Sequence, residues 1–573
     1  MVKTLPSNAE LAERFELLAD LLELDGADSF RLAAYRRAAT RMRESAAPVA
    51  QLAIDGKATQ IPGIGGTIAA KIVELTETGD LEALGRLRDR LPAGLVDVMR
   101  VPGLGPKTAR KLWTELGITS EDDLRAAAEQ QRLRELPGLG PKTEERVLQA
   151  LAAPKVKMER RTLLGRALPA VEAAVEELRG HPAADRVSEA GSIRRRVETV
   201  HDLDLIATAS DPAALTSHFA GLPWVAEVAA KGPTKATVVS YDGLRFDLRV
   251  VPPECFGNLL QHFTGSKDHN VALREDAVKR GLSVSEYGVA TVESGDVLTA
   301  ATEGVLYEHL GYDWIPPELR ENRGELVAAR EGRLPDLLEL DDLQGDLHMH
   351  TDWSDGRDTL EDMANAARAL GRRYVAICDH AKRLKDGRME RQAEDIAELS
   401  ASLDDLEILT GVEVDIRKDG SLDMSDEQLA ERDWIMASIH ANFDLGRDAL
   451  TDRLVAAMEH PYVDAIGHPT GRKLNRRAAY ELDLERLFAK AVETGTFLEI
   501  NAQPDRLDLI DVHAKAAVEA GVKLVISTDA HEVAHLAHLP LGVAQARRGW
   551  VPAADVVNAR PWAEVAAMRK RNR

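Results

Sequence analysis

The spacing of hydrophobic residues changes from one region of the chain to the next. Over the first 150 residues apolar side chains recur every three or four positions, as in IAAKIVEL, TARKLWTEL and TEERVLQAL, which predicts amphipathic helices. Beyond a charged joint at Lys155–Arg161, short strand-like runs appear with helical segments between them. The pattern therefore predicts a helical N-terminal region followed by α/β domains, and 573 residues are too many for one hydrophobic core.

A short turn of proline, glycine, a hydrophobic residue and glycine occurs three times between the predicted helices. The copies start at Pro62, Pro102 and Pro137. Glycines let the backbone approach a DNA phosphate, and the following helix offers its N-terminal amides. Turns that only pack helices are the alternative, but three similar copies favour DNA binding without sequence preference. The glycines concerned are Gly63, Gly65, Gly103, Gly105, Gly138 and Gly140.

Three carboxylates lie on the polar faces of predicted strands. Asp202 and Asp204 share one face because side chains alternate along a strand, and Asp247 lies on another strand. Such carboxylates repel one another unless divalent cations lie between them. Two Mg²⁺ ions held in this way can activate an attacking 3′-oxygen and stabilise a leaving pyrophosphate. An acidic exposed face is the alternative, but a Gly191-Ser192 turn, nine intervening residues, the Asp202/Asp204 pair and a third aspartate strand together favour a catalytic site.

Beyond a linker at residues 316–338, apolar runs repeatedly end in a potential metal ligand and a helix usually follows. Strand, ligand and helix in repetition are typical of a (β/α) barrel with its site at the carboxyl ends of the strands. A single histidine there would more often be a hydrogen-bonded core residue, but nine ligands favour metal binding. The nine are His348, His350, Asp355, His380, Glu413, His440, His468, Asp529 and His531.

Composition and charge narrow the class of protein. The chain is 44% hydrophobic and 29% charged, which is typical of a soluble globular protein, and no apolar stretch approaches the roughly 20 residues that span a membrane. The N-terminal segment lacks the apolar core of a signal peptide, so a cytosolic location is expected. Because the net charge is −22, phosphate binding must come from local amides, cations and arginines. No disulfide is expected between Cys255 and Cys378.

Taken together, these motifs resemble the family X DNA polymerases, the family of DNA polymerase beta, in the bacterial form that carries a C-terminal PHP (polymerase and histidinol phosphatase) domain. The segment from Gln261 to Asn270 is similar to the thumb motif of that family around FTGS, and the resemblance covers nearly the whole chain. It implies a multidomain α and α/β protein with a helical helix-hairpin-helix N-terminal region, a nucleotidyltransferase palm with a thumb, and a distorted (β/α)₇ PHP barrel. The expected boundaries are 1–85 for a helical DNA-binding domain, 86–154 for the fingers, 155–255 for the palm, 256–315 for the thumb, 316–338 for the linker and 339–573 for the barrel.

The resemblance also implies roles for individual residues of the polymerase region. Asp202 and Asp204 are expected to hold two Mg²⁺ or Mn²⁺ ions, and Asp247 to help deprotonate the primer 3′-hydroxyl. The expected nucleotide contacts are Ser192 and Arg195 at the β- and γ-phosphates, Phe263 and Gly265 at the sugar, Asn270 at the base edge and Arg274 at the template side. His262 replaces the tyrosine of the vertebrate enzymes, which leaves discrimination against ribonucleotides open.

Lys71 falls where the family has the lysine that removes a 5′-deoxyribose phosphate. Several companion basic residues are absent, with Phe30, Thr67 and Ala83 among their replacements. A Schiff-base lysine needs neighbouring cations that lower its pKa and bind the phosphate. We therefore expect Lys71 to face DNA rather than to act as an efficient lyase, with Arg31 and the hairpin amides binding a 5′-phosphate.

For the barrel, the resemblance implies three metal ions, with Glu413 bridging two of them, and mixed imidazole and carboxylate ligands suit Mn²⁺ or Zn²⁺. The expected activity is 3′–5′ exonuclease, and cleavage at apurinic sites stays open. Arg506 is expected either to bind the substrate phosphate or to form a salt bridge within the barrel.

The expected overall function is the filling of short gaps in DNA repair, with gapped or primer–template DNA and dNTPs as substrates and a monomer as the default state. Two alternatives belong to other classes. In one, the barrel is a phosphatase for small molecules, fused to the polymerase; in the other, the whole chain is a non-catalytic DNA-binding scaffold.

Overall fold

The computed structural model describes residues 5–6, 8–45, 48–61, 63–92, 94–101, 104–136, 138–152 and 161–572. The chain divides into two compact units. The first comprises Met1–Glu159 with Ala213–Leu248, and the second comprises Arg160–Pro212 with Arg249–Arg573. Most of the charged joint at 155–161, together with Pro62, Pro102, Gly103 and Pro137, lies outside the described residues.

The helices and strands are numbered in chain order. The helices are α1 (Asn8–Asp25), α2 (Ser29–Glu44), α3 (Val49–Ile54), α4 (Gly66–Thr78), α5 (Glu82–Arg88), α6 (Leu95–Arg100), α7 (Pro106–Leu116), α8 (Glu121–Glu129), α9 (Pro141–Ala152), α10 (Leu164–Arg179), α11 (Gly191–Arg194), α12 (Pro212–Ala220), α13 (Phe256–Thr264), α14 (Lys267–Lys279), α15 (Glu303–His309), α16 (Glu325–Arg330), α17 (Leu360–Ala369), α18 (Arg388–Ala401), α19 (Asp426–Ala430), α20 (Arg447–Glu459), α21 (Leu484–Thr494), α22 (Asp511–Glu519), α23 (Leu539–Arg548) and α24 (Trp562–Met568). The strands are β1 (Thr162–Leu163), β2 (Ala184–Glu189), β3 (Thr199–Val200), β4 (Asp202–Ala209), β5 (Val225–Lys231), β6 (Lys235–Ser240), β7 (Arg245–Val250), β8 (Leu282–Ser285), β9 (Gly288–Thr291), β10 (Val297–Leu298), β11 (Gly345–Met349), β12 (Tyr374–Ile377), β13 (Glu407–Asp415), β14 (Trp434–Ser438), β15 (Ala465–Ile466), β16 (Phe497–Asn501) and β17 (Leu524–Ser527). None of the described helices is both long and apolar enough to cross a membrane.

The first unit is mainly helical, as the three- to four-residue period predicts. Helices α1 to α9 share one apolar core that extends from Leu11 to Val147. Helices α4, α7 and α9 each begin directly after the second glycine of a predicted hairpin turn. Helices α7 and α9 have proline as their first residue, a position whose N–H makes no hydrogen bond within the helix in any case. The unit also contains the antiparallel pair β5 and β6. The predicted helix-hairpin-helix region is thus confirmed.

The second unit begins with a small α/β layer. Strands β2 and β4 pair antiparallel, from Glu189 opposite Leu205 to Ala184 opposite Ala209, and α11 fills the connection that follows β2. Strands β8, β9 and β10 form a separate antiparallel sheet. Its apolar face belongs to a core that includes Leu273 of α14 and Tyr307 of α15.

The rest of the second unit is a barrel of seven parallel strands, in the order β11 to β17. Each strand is buried along most of its length, as expected for a parallel sheet that helices cover. A parallel bridge between Met349 and Ala530 joins the end of the first strand to the segment after the last one. The predicted seven-stranded barrel is thus confirmed. Both cysteines are free, and Cys378 is buried just after β12.

Candidate active sites

All nine predicted metal ligands lie near one edge of the barrel. His348 and Glu413 lie near the carboxyl ends of β11 and β13, and the other seven lie in the segments that follow β11, β12, β14, β15 and β17. Since the strands are parallel, their carboxyl ends meet at the same edge, and the ligands converge there. Their ligating atoms form three groups, each within 4.8 Å: His350, Asp355, His380 and His531; His348, His350 and Asp529; Glu413, His440 and His468. The first two groups share His350, and a fourth group joins His380 and His440 to Asp415.

The buried carboxylate of Glu413 lies at the centre of these groups. One of its oxygens is 3.2 Å from Nε2 of His468 and 3.3 Å from Nε2 of His440, and the other oxygen is 3.0 Å from Nδ1 of His380. The two oxygens thus face different sets of imidazoles. A carboxylate in this position can contribute one oxygen to each of two neighbouring ions.

The donor set itself fits bound metal ions. Nε2 of His348, Nε2 of His350 and Oε1 of Glu413 are buried and have no hydrogen-bond partner among the described residues. Buried polar atoms are rarely left unpaired, because the lost hydration costs about 1–3 kcal/mol for each group. Metal ions bound to these atoms would satisfy them, and imidazole with carboxylate is a common ligand combination for divalent transition metals.

The charges within the cluster depend on the pairing of imidazole and carboxylate. Burial alone would raise the pKa of Glu413, but the imidazoles of His440 and His348 hold it well below its usual range. Burial would likewise lower the pKa of His380, but Asp355 and Glu413 raise it to about 10. Burial lowers the pKa of His350 to about 4, so that ring is neutral. Metal binding would replace the protons on the charged imidazoles.

Two further acidic residues, outside the nine predicted ligands, hydrogen-bond to ligand histidines. Oε1 of Glu499, on β16, is 2.7 Å from Nδ1 of His348, and its other oxygen accepts the backbone N–H of His468 at 2.6 Å. Oδ1 of Asp415, on β13, is 2.6 Å from Nδ1 of His440. Both contacts leave Nε2 of the imidazole free to bind a metal. The signal in the sequence was an acidic residue within an apolar run for Glu499, and the position two after Glu413 for Asp415.

Arg506 lies beside the same cluster. Its Nε is 3.4 Å from Oδ2 of Asp529, and the side chain is largely buried. Nearby, Lys473 forms an ion pair with Asp505 at 2.9 Å. The cationic guanidinium therefore lies beside the metal ligands, where its charge is opposite to that of Asp529.

In the α/β layer, the Gly191-Ser192 turn packs directly against Asp204. Gly191 has a φ of +63°, and a Cβ added there would lie 2.2 Å from Oδ2 of Asp204, so only glycine fits. The backbone N–H of Ala190 also donates to the carbonyl of Asp204, at 2.8 Å. Leu203 is buried between the two aspartates, as the alternation predicts. The structure therefore brings the Gly191-Ser192 turn against Asp204, with Asp202 two residues earlier on the same strand.

Asp247 lies on β7, in the first unit. Thr237 donates a hydrogen bond to its carboxylate, and Nε of Arg245 is 3.2 Å from Oδ2 of the same group. Arg245 thus neutralises Asp247 on the same strand face.

The predicted sugar and base contacts surround the α13–α14 junction. Gly265, at this junction, has a φ of +68°, and a Cβ there would lie 3.1 Å from Nη1 of Arg195. Nδ2 of Asn270 donates to the carbonyl of His262 at 2.7 Å, and Nη2 of Arg274 is 2.9 Å from Nδ1 of the same histidine. Burial lowers the pKa of His262, so its neutral ring can accept from Arg274. His262 thus anchors both predicted base contacts.

A guanidinium also lies over the predicted sugar contact, because Arg249 stands 4.4 Å above the ring of Phe263. Cation–π contacts of this kind hold an aromatic ring in place.

The hairpin turns leave their backbone accessible. Gly63 and Gly138 have φ values of +91° and +93°, which favour glycine, and a Cβ added to Gly65, Gly105 or Gly140 would meet nothing within 4 Å. Lys71 on α4 is half-buried with Nζ 4.0 Å from Glu74, and Arg31 on α2 is exposed. The open glycines give a phosphate room to approach the helix N-termini.

Four family models match segments of this chain. Family models match the DNA polymerase beta thumb at residues 259–321, a helix-hairpin-helix domain at 6–81, a SAM-like helix-hairpin-helix tandem at 95–153 and the PHP domain at 346–503. The chain is 40% identical to the DNA polymerase/3′-5′ exonuclease PolX of Bacillus subtilis (strain 168), over 98% of this chain and 99% of that protein.

Two further relatives each cover part of the chain. DNA polymerase lambda of Rattus norvegicus is 27% identical over 55% of this chain and 56% of its own length. A probable phosphatase of Thermoanaerobacter sp. (strain X514) is 31% identical over 32% of this chain and 78% of its own length.

Proposed function

This chain belongs to the family of the bacterial DNA polymerase/3′-5′ exonuclease PolX, and on that premise we propose that it fills short gaps in DNA during repair and trims 3′ ends at a second site. It is a DNA-directed DNA polymerase and a metal-dependent 3′–5′ exonuclease. One observation carries the proposal: the Gly191-Ser192 turn against Asp204 and the cluster of nine ligands that includes Glu413 occur together in one chain. A non-catalytic scaffold would need neither set.

At the polymerase site, Asp202 and Asp204 would hold two Mg²⁺ or Mn²⁺ ions, and Asp247 would take part in deprotonating the primer 3′-hydroxyl. When bound, the ions would lower the pKa of that hydroxyl and neutralise the charge on the leaving pyrophosphate. Ser192 and Arg195 bind the β- and γ-phosphates. The sugar and base contacts are Phe263, Gly265, Asn270 and Arg274.

At the barrel site, the three ligand groups would hold about three Mn²⁺ or Zn²⁺ ions, with Glu413 between two of them. When bound, the ions would supply a nucleophile at neutral pH and polarise the scissile phosphate. Glu499 and Asp415 orient His348 and His440, and Arg506 binds a non-bridging phosphate oxygen. The substrate class is the 3′-terminal phosphodiester of DNA, with apurinic-site cleavage as a second candidate reaction at the same ions.

DNA and dNTPs are the substrates of the whole protein. We propose that the hairpin amides at Gly63, Gly65, Gly103, Gly105, Gly138 and Gly140 bind the backbone of gapped DNA, with Lys71 facing DNA and Arg31 at a 5′-phosphate. Backbone amides and bound cations explain how a chain of net charge −22 can bind a polyanion. The domain boundaries given above, the monomeric state and the cytosolic location are parts of the same proposal.

The test of this function uses a duplex with a one-nucleotide gap, labelled at the primer 5′ end, with Mn²⁺ present. We expect extension when dNTPs are added and shortening of the primer when they are omitted. A free phosphomonoester, p-nitrophenyl phosphate, is compared with DNA 3′ ends as substrate. Faster hydrolysis of the free ester than of DNA would support the small-molecule phosphatase, and neither extension nor shortening would support the scaffold.

Replacing Glu499 with glutamine should weaken metal binding at the barrel site without removing a ligand. Glutamine cannot stabilise the partial positive charge that a metal places on His348, and such supporting residues change metal affinity by roughly 10–100-fold. We expect the Mn²⁺ concentration for half-maximal exonuclease activity to rise by that factor. The control is Glu407→Gln, at the first residue of β13, which is the end of the strand away from the metal ligands. An unchanged Mn²⁺ dependence would show that Glu499 has no role at the metals.

Replacing Arg506 with methionine separates the two expected roles of this residue. If Arg506 binds the phosphate, the exonuclease kcat/KM should fall roughly 10–100-fold, because a hydrogen bond to a charged group contributes about 1.5–3 kcal/mol. If Arg506 only neutralises Asp529, the melting temperature should fall and kcat/KM at saturating Mn²⁺ should stay the same. Arg476→Met, on an exposed loop, is the control.

A further inference from the structure

A buried arginine of the barrel holds the turn that carries the predicted triphosphate contacts. Arg548 is the last residue of α23, and only 6% of its side chain is exposed. Its Nη1 donates to the backbone carbonyl of Arg195 at 2.7 Å and to Glu321 at 2.9 Å, while its Nη2 donates to Asp511 at 2.8 Å. All four residues lie in the second unit. One guanidinium from the barrel therefore touches both the palm turn and the linker.

Glu321 connects Arg548 to the side chain of Arg195. The oxygen of Glu321 that accepts from Arg548 also accepts from Nε of Arg195, at 3.0 Å. Nη1 of Arg195 donates to the carbonyl of Thr264, so two of its three guanidinium nitrogens are fixed. Nη2 has no hydrogen-bond partner among the described residues. The arginine is thus held at one side of its guanidinium and has a donor left for a phosphate oxygen.

The backbone contact has a separate effect. The N–H of Arg195 donates to the carbonyl of Gly191, which closes the single turn that includes Ser192. The carbonyl of Arg195 ends this turn and would have no helical partner, because α11 stops at Arg194. Arg548 supplies the missing donor. It therefore fixes the position of Ser192 as well as that of Arg195.

We propose that Arg548 is a positioning residue for nucleotide binding: with Glu321, it holds Arg195 and the Ser192 turn where they bind the β- and γ-phosphates of a dNTP. This proposal rests on the polymerase function proposed above. It means that the barrel contributes to the polymerase site without touching the nucleotide. Because α23 begins eight residues after the metal ligand His531, a single short segment connects the metal cluster to the triphosphate turn.

The neighbouring Arg547 gives a matched control. It is also on α23 and also pairs with the linker, through Glu318 at 2.8 Å, and with Glu339 at the start of the barrel. Among the described residues it has no hydrogen bond or ion pair to the turn. Loss of Arg547 therefore removes linker contacts of the same kind. Methionine is the substitution at both positions, because it fills a similar volume and has no donor.

The experiment measures gap filling by the full-length wild type, Arg548→Met, Arg547→Met and Arg548→Lys, and 3′-end shortening without dNTPs. For Arg548→Met we expect KM for dNTP to rise roughly tenfold, as for loss of a hydrogen bond to a charged group, and kcat to change less than about threefold. The rate of 3′-end shortening by Arg548→Met should equal the wild-type rate. The KM for dNTP of Arg547→Met should equal the wild-type KM. Lysine keeps a charge but cannot reach all three partners at once, so Arg548→Lys should have an intermediate KM.

A wild-type KM in Arg548→Met would overturn the proposal, as would an equal rise in Arg547→Met. A parallel loss of extension and shortening would also overturn it, since that pattern indicates a general structural role. If Arg548→Met shows no cooperative melting transition, and so does not fold, Glu321→Gln replaces it. The same rise in KM for dNTP is expected for Glu321→Gln, and a wild-type KM would overturn the proposal. Absence of any incorporation by the wild type would refute the proposed polymerase function itself, and with it this inference.

Discussion

Asp202→Asn should abolish primer extension and leave 3′-end shortening at the wild-type rate. Asparagine has nearly the same shape as aspartate but lacks the charge that two cations require between them, and it is a weaker metal ligand. Loss of one preorganised electrostatic contact of this kind lowers kcat by roughly 10²–10³-fold, and we expect at least the larger value for a residue shared by two ions. Single-turnover extension of the gapped primer in Mg²⁺ measures the effect.

The protein should remain folded in this variant, because 43% of the Asp202 side chain is exposed and its buried neighbours on β4 are unchanged. Exposed substitutions of this kind usually change the free energy of unfolding by less than about 0.5 kcal/mol. Asp185→Asn, an exposed aspartate on the paired strand β2, is the control and should extend normally. Extension by Asp202→Asn at the wild-type rate would refute the assignment of this aspartate, and loss of both activities would refute two independent sites.

Prediction from the sequence worked where spacing along the chain determines position in space. In a parallel barrel every strand delivers its carboxyl end to the same edge, so ligands that follow successive apolar runs must converge there. Asp202 and Asp204 share a face for a similarly local reason, since side chains alternate along a strand. The glycine at position 191 is required by the neighbouring carboxylate of Asp204, which a single sequence does not reveal.

Contacts between distant residues were missed, because nothing in the local pattern marks them. Glu499 is an acidic residue in an otherwise apolar run, and only its pairing with His348, 151 positions away, shows its role. Arg548 and Glu321 are separated by 227 positions, and the arginine lies in an ordinary amphipathic helix. A buried charge needs a partner, so an arginine on the buried face of a helix was the available signal, but the sequence does not name the partner.

The acidic composition of the chain does not exclude local binding of phosphate. A net charge of −22 argues against a continuous basic groove, and many of the carboxylates are grouped with imidazoles or arginines. Glu303, for example, is buried against Arg194 and Arg320, and those guanidinium groups keep its pKa below the usual range although burial alone would raise it. Net charge therefore says little about local affinity for phosphate in this protein.

Glu413→Gln should abolish 3′-end shortening and leave primer extension unchanged. The carboxylate is buried, and both of its oxygens face imidazoles of different ligand groups. An amide offers one good ligand oxygen and no charge, so it cannot neutralise two neighbouring cations. Loss of a residue that only hydrogen-bonds to a ligand lowers metal affinity or activity by roughly 10–100-fold. Loss of the ligand Glu413 itself should therefore lower exonuclease kcat/KM by more than about 100-fold at any Mn²⁺ concentration.

Because Glu413 is buried, its substitution needs a control for loss of folding. Glutamine at position 413 removes the charge that balances His440 and His380, so the metal-free variant should melt at a lower temperature than the wild type. Primer extension by the same preparation reports whether the polymerase region is still folded, and Glu407→Gln on the same strand controls for the substitution. Because the two sites use separate ligands, extension should persist while shortening is lost. Shortening by Glu413→Gln at the wild-type rate would move the nuclease away from the barrel altogether, since no other residue contacts so many of the predicted ligands among those the structure describes.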